Sequence, residues 1–341
     1  MVIYKNPTKI RYLVGPVPID NHVFTYFSVL SLPLFKLDSQ SSKLNPYYVS
    51  GFSDAESSFM VSLVKRSYLK TGWSVQPIFK YDLHVKDLPL LEEVKAFFGG
   101  AGHISVSATR SSAYYSVNST KEIIKFIIPH FDSYPLLTKK RGDFELFKSA
   151  VELINKGEHL DLEGLSKIVA IRASMNWGLT PTLKEHFPNI VKVIRPEFNT
   201  LQIISPYWFV GFVEGEGSFF VDIFSSKTHK VGYQVKLKFQ LTQHIRDTQL
   251  MNSLIESLDC GTTRVNRQAV DLTVTKLSEI ESKILPIFYS CPLLGVKRLD
   301  YEDFCKVVLA IKGKEHLTEP GLIKIKQIKS GMNTGRDLGR G

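Results

Sequence analysis

The chain has 341 residues, 43% of them apolar, a net charge of +10 and three cysteines. The length and apolar content provide for two full hydrophobic cores, and the positive charge points to a polyanionic partner. Cys260, Cys291 and Cys305 have neither paired metal-ligand spacing nor a disulfide framework, which suits a reducing interior compartment.

In chain order, residues 1–44 read as a leader, partly disordered or draped on the first domain. Their apolar run, Val23 to Phe35, is about half the length of a membrane span. It contains Pro33 and lacks a following small-residue cleavage site, so neither a membrane segment nor a signal peptide is expected. A helix is expected next, in Tyr47-Tyr-Val-Ser-Gly-Phe-Ser-Asp-Ala-Glu-Ser-Ser-Phe59, with Gly51 and Ala55 four apart and Glu56 at its end. Small residues at that spacing let a helix backbone approach a partner closely. In Ser58 to Lys65 the apolar residues Phe59, Val61 and Leu63 alternate with others, which predicts a half-buried strand. Ser74 to Asp82 is the neighbouring strand, its alternation blurred by Pro77 and Ile78. Helical spacing follows from Asp87 to Phe98, closed by Gly99 and Gly100. A second strand pair is expected at 104–109 and 113–118, then helices near 120–131 and 143–155. Residues 178–205, with Pro181, Pro188 and Pro196 and no clean periodicity, read as a linker.

The pattern then begins again. Tyr207-Trp-Phe-Val-Gly-Phe-Val-Glu-Gly-Glu-Gly-Ser-Phe219 repeats the helix, with Gly211 and Gly215 four apart and Glu216 at the end. From Gln234 to Thr242, Val235, Leu237, Phe239 and Leu241 alternate with polar residues, which predicts an antiparallel strand with one basic face. Strands at 262–267 and 269–275 follow. Phe52 and Phe212, His84 and His244, and Asp87 and Asp247 are 160 positions apart. Pro135 and Pro292, Lys140 and Lys297, and Met175-Asn176 and Met332-Asn333 are 157 apart. Solenoid repeats run about 20–50 residues, so this is a duplicated domain, each half helix–strand–strand–helix–strand–strand–helix. If the two motif helices pack together, Glu56 and Glu216 meet. A buried pair of like charges suits a divalent cation.

The two motifs, the duplication and the segments Leu-His-x-Lys-Asp and Thr-Gln-His-x-Arg-Asp after the second strands resemble the single-chain LAGLIDADG homing endonucleases of fungal mitochondrial introns. The resemblance covers roughly residues 45–335. It implies an α+β fold, two pseudo-symmetric αββαββα halves whose antiparallel sheets form a saddle over DNA, with the motif helices at the seam. The implied organisation is a leader (1–44), a first domain (45–177), a linker (178–205), a second domain (206–335) and a tail (336–341). The implied protein is a mitochondrial monomer that hydrolyses double-stranded DNA at a long asymmetric target and leaves staggered 3′ overhangs. The alternative is a maturase that binds intron RNA, with or without residual nuclease activity. No membrane partner is expected. Mg²⁺ is the implied cofactor, with Mn²⁺ substituting and Ca²⁺ binding without supporting cleavage.

By the same resemblance Glu56 and Glu216 are the catalytic acids, and they bind metal together with the backbone carbonyls of Ala55 and Gly215. Lys140 and Lys297 line the cleavage pocket, with Lys139 or Arg298 as alternative occupants. Gln243 positions water, and Leu83 stands at its place in the first half. Asp54 and Glu214 match no catalytic position and are expected to cap or hydrogen-bond. The family has Gly after the catalytic acid, as at Gly217, whereas the first copy has Ser57. A left-handed helix exit at Ser57 would cost about 1 kcal/mol, displace Glu56 and slow one strand's cleavage.

Strand parity gives the DNA-facing set if the apolar odd positions pack inward. In the first half these are Ser58, Met60, Ser62, Val64 and Arg66, then Gln76, Ile78 and Lys80, then Ser105, Ser107, Thr109, Tyr114, Ser116 and Asn118. In the second they are Ser218, Phe220, Asp222, Phe224 and Ser226, then Gln234, Lys236, Lys238 and Gln240, then Arg264, Asn266, Asp271 and Thr273. Arg, Lys, Gln and Asn read base edges, and a β-ribbon fits the major groove.

Overall fold

Proline at the first helical turn starts both motif helices, because its fixed φ suits a position whose N–H has no helical partner. Helix α1 (Pro46–Glu56) is further capped by the Asn45 side chain, which accepts from the Tyr47 amide at 2.9 Å. In a computed structural model, residues 44–107, 109–198 and 204–336 are described; residues 1–43 of the expected leader lie outside them, while Leu44 is buried in the main core. After α1 come β1 (Ser57–Lys65), β2 (Trp73–His84), α2 (Leu88–Phe97), β3 (His103–Val106) and β4 (Ser112–Val117). A π turn (Ile123–Ile127) joins α3 (Thr120–Glu122) to α4 (Ile128–Ser133), followed by α5 (Lys140–Asn155), α6 (Leu162–Ser174) and α7 (Pro181–His186).

The second half repeats the series. It comprises α8 (Pro206–Glu216), β5 (Gly217–Ser225), β6 (Tyr233–His244), α9 (Thr248–Leu258), β7 (Thr262–Asn266) and β8 (Ala269–Val274). Helix α10 (Leu277–Glu279), a π turn (Ile280–Ile284), α11 (Leu285–Ser290), α12 (Lys297–Lys312) and α13 (Glu319–Ser330) complete it. Each half has one four-stranded antiparallel sheet, ordered β1-β2-β4-β3 and β5-β6-β8-β7. Both halves belong to one compact unit. Among the described residues no helix is long and apolar enough to cross a membrane.

The sheets bury the face that alternation predicts. Phe59 and Phe79 pack on Phe131 from α4 and, through Phe59, on Phe144 and Phe147 from α5. Phe219, Phe239, Phe288, Tyr301 and Phe304 make the same cluster in the second half. Aromatic pairs at such spacings add stability beyond their buried area. The repeated Met-Asn pairs close each half: Asn176 and Asn333 adopt positive φ and donate through Nδ2 to the Phe59 and Phe219 carbonyls at 2.8 and 3.0 Å.

At the seam α1 lies directly on α8. A Cβ added at Gly51 would fall on the Trp208 carbonyl, and one at Gly211 on the Tyr48 carbonyl. Glycine is required at both places because backbone meets backbone there.

The linker differs from its expectation. Residues 181–186 form α7, capped by the Thr180 hydroxyl, and Leu183 packs with Trp73, Leu165 and Val169 in a small separate core. A six-residue helix with one buried apolar anchor is too short to register as periodicity.

Candidate active site and nucleic-acid face

Because α1 and α8 touch along their length and each ends in a glutamate, the carboxylates converge beyond the seam. A Cβ at Gly215 would lie 2.9 Å from Glu56 Oε1, so Glu56 rests against the end of the opposite helix. Burial first, and then the charge of Glu56, raises the Glu216 pKa to about 7. Burial also raises that of Glu56, against the pull of Lys140 and Lys297.

Two lysines enter the same cluster. Lys140 Nζ donates to the carbonyls of Ser53 (2.8 Å) and Ala55 (3.3 Å). Lys297 Nζ donates to the carbonyls of Gly215 (3.1 Å) and Gly217. Of the adjacent basic pairs it is therefore Lys140 and Lys297 that reach the helix ends, while Arg298 lies 3.8 Å from Glu302. Burial lowers the Lys140 pKa to about 8, with Asp54, Glu216 and Glu56 opposing the shift. It lowers that of Lys297 as well. Gln243 Nε2 donates to Glu216 Oε1 at 3.3 Å; Leu83 offers no such donor to Glu56.

Asp54 and Glu214 take the hydrogen-bonding role expected of them. Asp54 accepts from the Leu137 and Thr138 amides (2.8 and 3.2 Å), the Thr138 hydroxyl (2.5 Å) and Trp208 Nε1 (2.9 Å). Burial brings its pKa to about 6 despite these donors. Glu214 accepts from the Leu294 amide (2.8 Å) and the Tyr48 hydroxyl (2.9 Å). Each acid ties its own half's loop to the partner's motif helix.

The expectation about Ser57 is overturned. Ser57 and Gly217 both leave their helices in extended conformation, with φ −87° and −82°, so neither position needs glycine for its backbone angles. Gly217 needs it for space, since a Cβ there would strike the Val213 side chain. Ser53 stands where Val213 does, and the Ser57 hydroxyl donates to the Ser53 carbonyl at 2.7 Å. The serine fits its smaller neighbour, and the argument for a displaced Glu56 falls away.

The polar sheet faces follow the predicted parity. Across the first sheet run the rows Ser58–Lys80–Ser116–His103 and Asp82–Tyr114–Ser105, with Met60–Ile78 and Ser62–Gln76 beyond. Across the second run Ser218–Gln240–Thr273–Thr262 and Thr242–Asp271–Arg264, with Phe220–Lys238, Asp222–Lys236 and Phe224–Gln234. Lys80, Lys238 and Lys236 lean over the rings of Tyr114, Phe220 and Phe224 at 4.6, 4.6 and 5.8 Å. Val64 and Phe224 are exposed near the strand ends.

Several expected positions differ. Ser116 is on the predicted face but buried, its hydroxyl 3.3 Å from His103 Nε2. Arg66 and Ser226 lie in the turns after β1 and β5, Ser107 and Thr109 in the loop after β3, and Asn118 just past β4. Parity missed Asp82, His103, Thr242 and Thr262, although each sits two residues from a named position.

A family model described as LAGLIDADG endonuclease matches residues 49–151 and 209–308. The chain belongs to this family. It is 39% identical to the "Probable intron-encoded endonuclease 2" of Neurospora crassa, over 85% of this chain and 65% of that relative. The chain thus spans less than two thirds of that protein's length. Among solved structures, the LAGLIDADG homing endonuclease I-SmaMI bound to cleaved DNA is 46% identical with a TM-score of 0.84, covering 86% of this chain and 99% of that one. I-SmaMI bound to uncleaved DNA in the presence of calcium ions is 46% identical with a TM-score of 0.83, over 85% and 99%. The α+β architecture of two antiparallel four-stranded sheets is that of the LAGLIDADG fold. The paired glutamates stand at the ends of this LAGLIDADG chain's two motif helices, one at the end of each family-matched segment's first helix.

Proposed function

We propose that this chain is a site-specific double-strand DNA endonuclease that works as a monomer in the mitochondrion, hydrolysing DNA with a divalent cation to leave staggered 3′ overhangs. The observation that carries the reading is the convergence of Glu56 and Glu216, with Lys140 and Lys297, at one buried seam flanked by two polar sheet faces.

The residues fit a divalent cation. Burial raises the proton affinity of both carboxylates and the charge of Glu56 raises that of Glu216 further, while the carbonyls of Ala55 and Gly215 accept from the Nζ atoms of Lys140 and Lys297. Among the described residues no group of three or more His, Cys, Asp or Glu side chains could hold a metal. Two carboxylates that leave positions for water and phosphate oxygens match magnesium. Mn²⁺ is expected to substitute and Ca²⁺ to bind without cleavage. When bound, the cation supplies a lowered water pKa and charge stabilisation at the scissile phosphate.

The chain's own groups do the rest. Lys140, with its pKa of about 8, stays charged at neutral pH and donates towards the phosphate oxygens beside Glu56. Lys297 is placed to donate to phosphate oxygens beside Glu216. Gln243 orients water in the second half only, so the two centres are not chemically equal. The sheet faces, with Lys236, Lys238, Gln240 and Arg264 in the second half and Lys80 and Gln76 in the first, lie in the DNA grooves. Magnesium-dependent cutting of one sequence family from a library of duplexes is the expected result. An inactive protein that binds intron RNA and assists its splicing would transfer the chain to the maturase reading.

The Lys236→Ala and Lys238→Ala variants are expected to bind more weakly. A phosphate contact appears as a uniform loss across sequences, with the salt slope falling by about 0.9 per contact. A base contact costs about 1–3 kcal/mol and relaxes preference at one position. Unchanged affinity in both variants would mean that DNA lies on another surface.

A pH effect follows from Glu216. Its folded pKa, about 7, lies above the ordinary 4.5, so the metal-free fold holds this proton more tightly than the unfolded chain. That contribution to stability falls as pH rises from about 4.5 to about 7. Magnesium competes with the proton. The rise in melting temperature on adding magnesium is therefore expected to be small near pH 6 and larger near pH 8. A larger rise at the acid end would contradict the assignment.

A further inference from the structure

The loops that lead into the two lysines are each held from both sides of the seam. Lys140 and Lys297 open α5 and α12, and neither helix has a cap from its own N-cap side chain, Lys139 or Val296. The first amides of a helix lack partners within it and must find them elsewhere. Asp247, buried in the second half, accepts from the Lys139 amide at 2.6 Å. Asp87, in the first half, accepts from the Val296 amide at 2.8 Å. The residues just upstream are held within their own halves, Leu137 and Thr138 by Asp54 and Leu294 by Glu214. Gly295 sits between two acids from opposite halves, since a Cβ there would meet Asp87 Oδ1 at 2.7 Å and Glu214 Oε1 at 2.8 Å.

We propose that Asp87 and Asp247 are positioning residues acting across the seam, each fixing the loop that aims the other half's lysine. The Glu56–Lys140 side is then completed by a residue of the second half, and the Glu216–Lys297 side by a residue of the first. Neither half carries a finished centre of its own, and a disturbance in one half is read out in the other's chemistry. The consequence for cleavage rests on the endonuclease reading; the cross-seam clamp does not. A carboxylate is suited to the task because a hydrogen bond to a charged acceptor is stronger and shorter than a neutral one. A catalytic group misplaced by about 1 Å loses about a hundredfold in rate.

The test uses the full chain with Asp247→Ala, Asp87→Ala and Asp247→Asn. In metal-free protein, amide hydrogen exchange at residues 139–141 is expected to speed up in Asp247→Ala while residues 296–298 keep their protection, and Asp87→Ala reverses the pattern. On a cleavable duplex with both strands labelled, Asp247→Ala is expected to slow the same strand that Lys140→Ala slows, by about tenfold to a hundredfold. Asp87→Ala is expected to slow the strand that depends on Lys297. Asp247→Asn keeps an acceptor oxygen for the Lys139 amide and is expected to restore most of the rate. Faster exchange at both loops in either variant, or equal slowing of both strands, would reduce the two acids to general structural supports and overturn the proposal. A wild-type protein that cuts no duplex would overturn the endonuclease reading instead, with the exchange pattern still deciding the contact.

Discussion

Glu216→Gln is expected to abolish cleavage while leaving DNA affinity unchanged or higher. The substitution keeps the size of the side chain and an oxygen for Gln243, so the seam should hold. It removes one of two charges that face each other in a partly buried site. Losing a single group that stabilises developing charge costs about a hundredfold to a thousandfold in rate, and in the proposed mechanism the lost group also binds the cation. Phosphate meets less repulsion at the vacated charge, which is why binding should not suffer. Single-turnover cleavage and equilibrium binding on one target separate the two effects. Cleavage near the wild-type rate would remove Glu216 from the metal site.

The second large effect concerns stability. Gly51→Ala or Gly211→Ala places a methyl group onto the carbonyl of the opposite helix, at Trp208 or Tyr48. Overpacking costs about 1–3 kcal/mol where side chains can shift. At these two positions backbone opposes backbone, so a loss of about 3 kcal/mol or more is expected. The carboxylates would separate with the helices, and cleavage should fall even in the fraction that folds. Gly313→Ala is the control: its φ is −73° and the nearest atom to an added Cβ is 3.5 Å away. That change is expected to be neutral or to stabilise by about 0.4–1 kcal/mol, through lowered entropy of the unfolded chain. Denaturant titration of the three variants decides the matter. Equal stability for all three would mean that the seam is not where the halves meet tightly.

The features legible in the sequence were those written in short-range pattern. Gly51 and Gly211 announced a close helix approach, and Glu56 and Glu216 announced what lies at its end. Alternation in β1 and β6 separated core from polar face, because a strand with one buried face cannot slip by one residue without inverting it. The repeat itself gave the second half at once. What stayed hidden depends on distant contacts. Nothing local to Asp247 tells that it caps a helix more than a hundred residues away, although its recurrence as Asp87 was visible. The exit at Ser57 is extended rather than left-handed, and the glycine at the matching position, Gly217, answers to a neighbour's bulk, Val213, rather than to a backbone angle. The strand ends near 107–109 and 118 were overrun because Ser and Thr continue an alternation that the hydrogen-bonded ladder no longer supports.

The central claim is that one chain carries the paired carboxylates and cuts both strands at their seam. The most direct measurement is single-turnover cleavage of one target duplex, labelled on both strands, with magnesium and a series of protein concentrations above saturation. Both strands should be cut at one staggered position, with 3′ overhangs, at rates independent of protein concentration. Cutting of a single strand, or a rate that keeps rising as further protein is added to saturated DNA, would mean that a second chain must supply what these two helices were taken to hold.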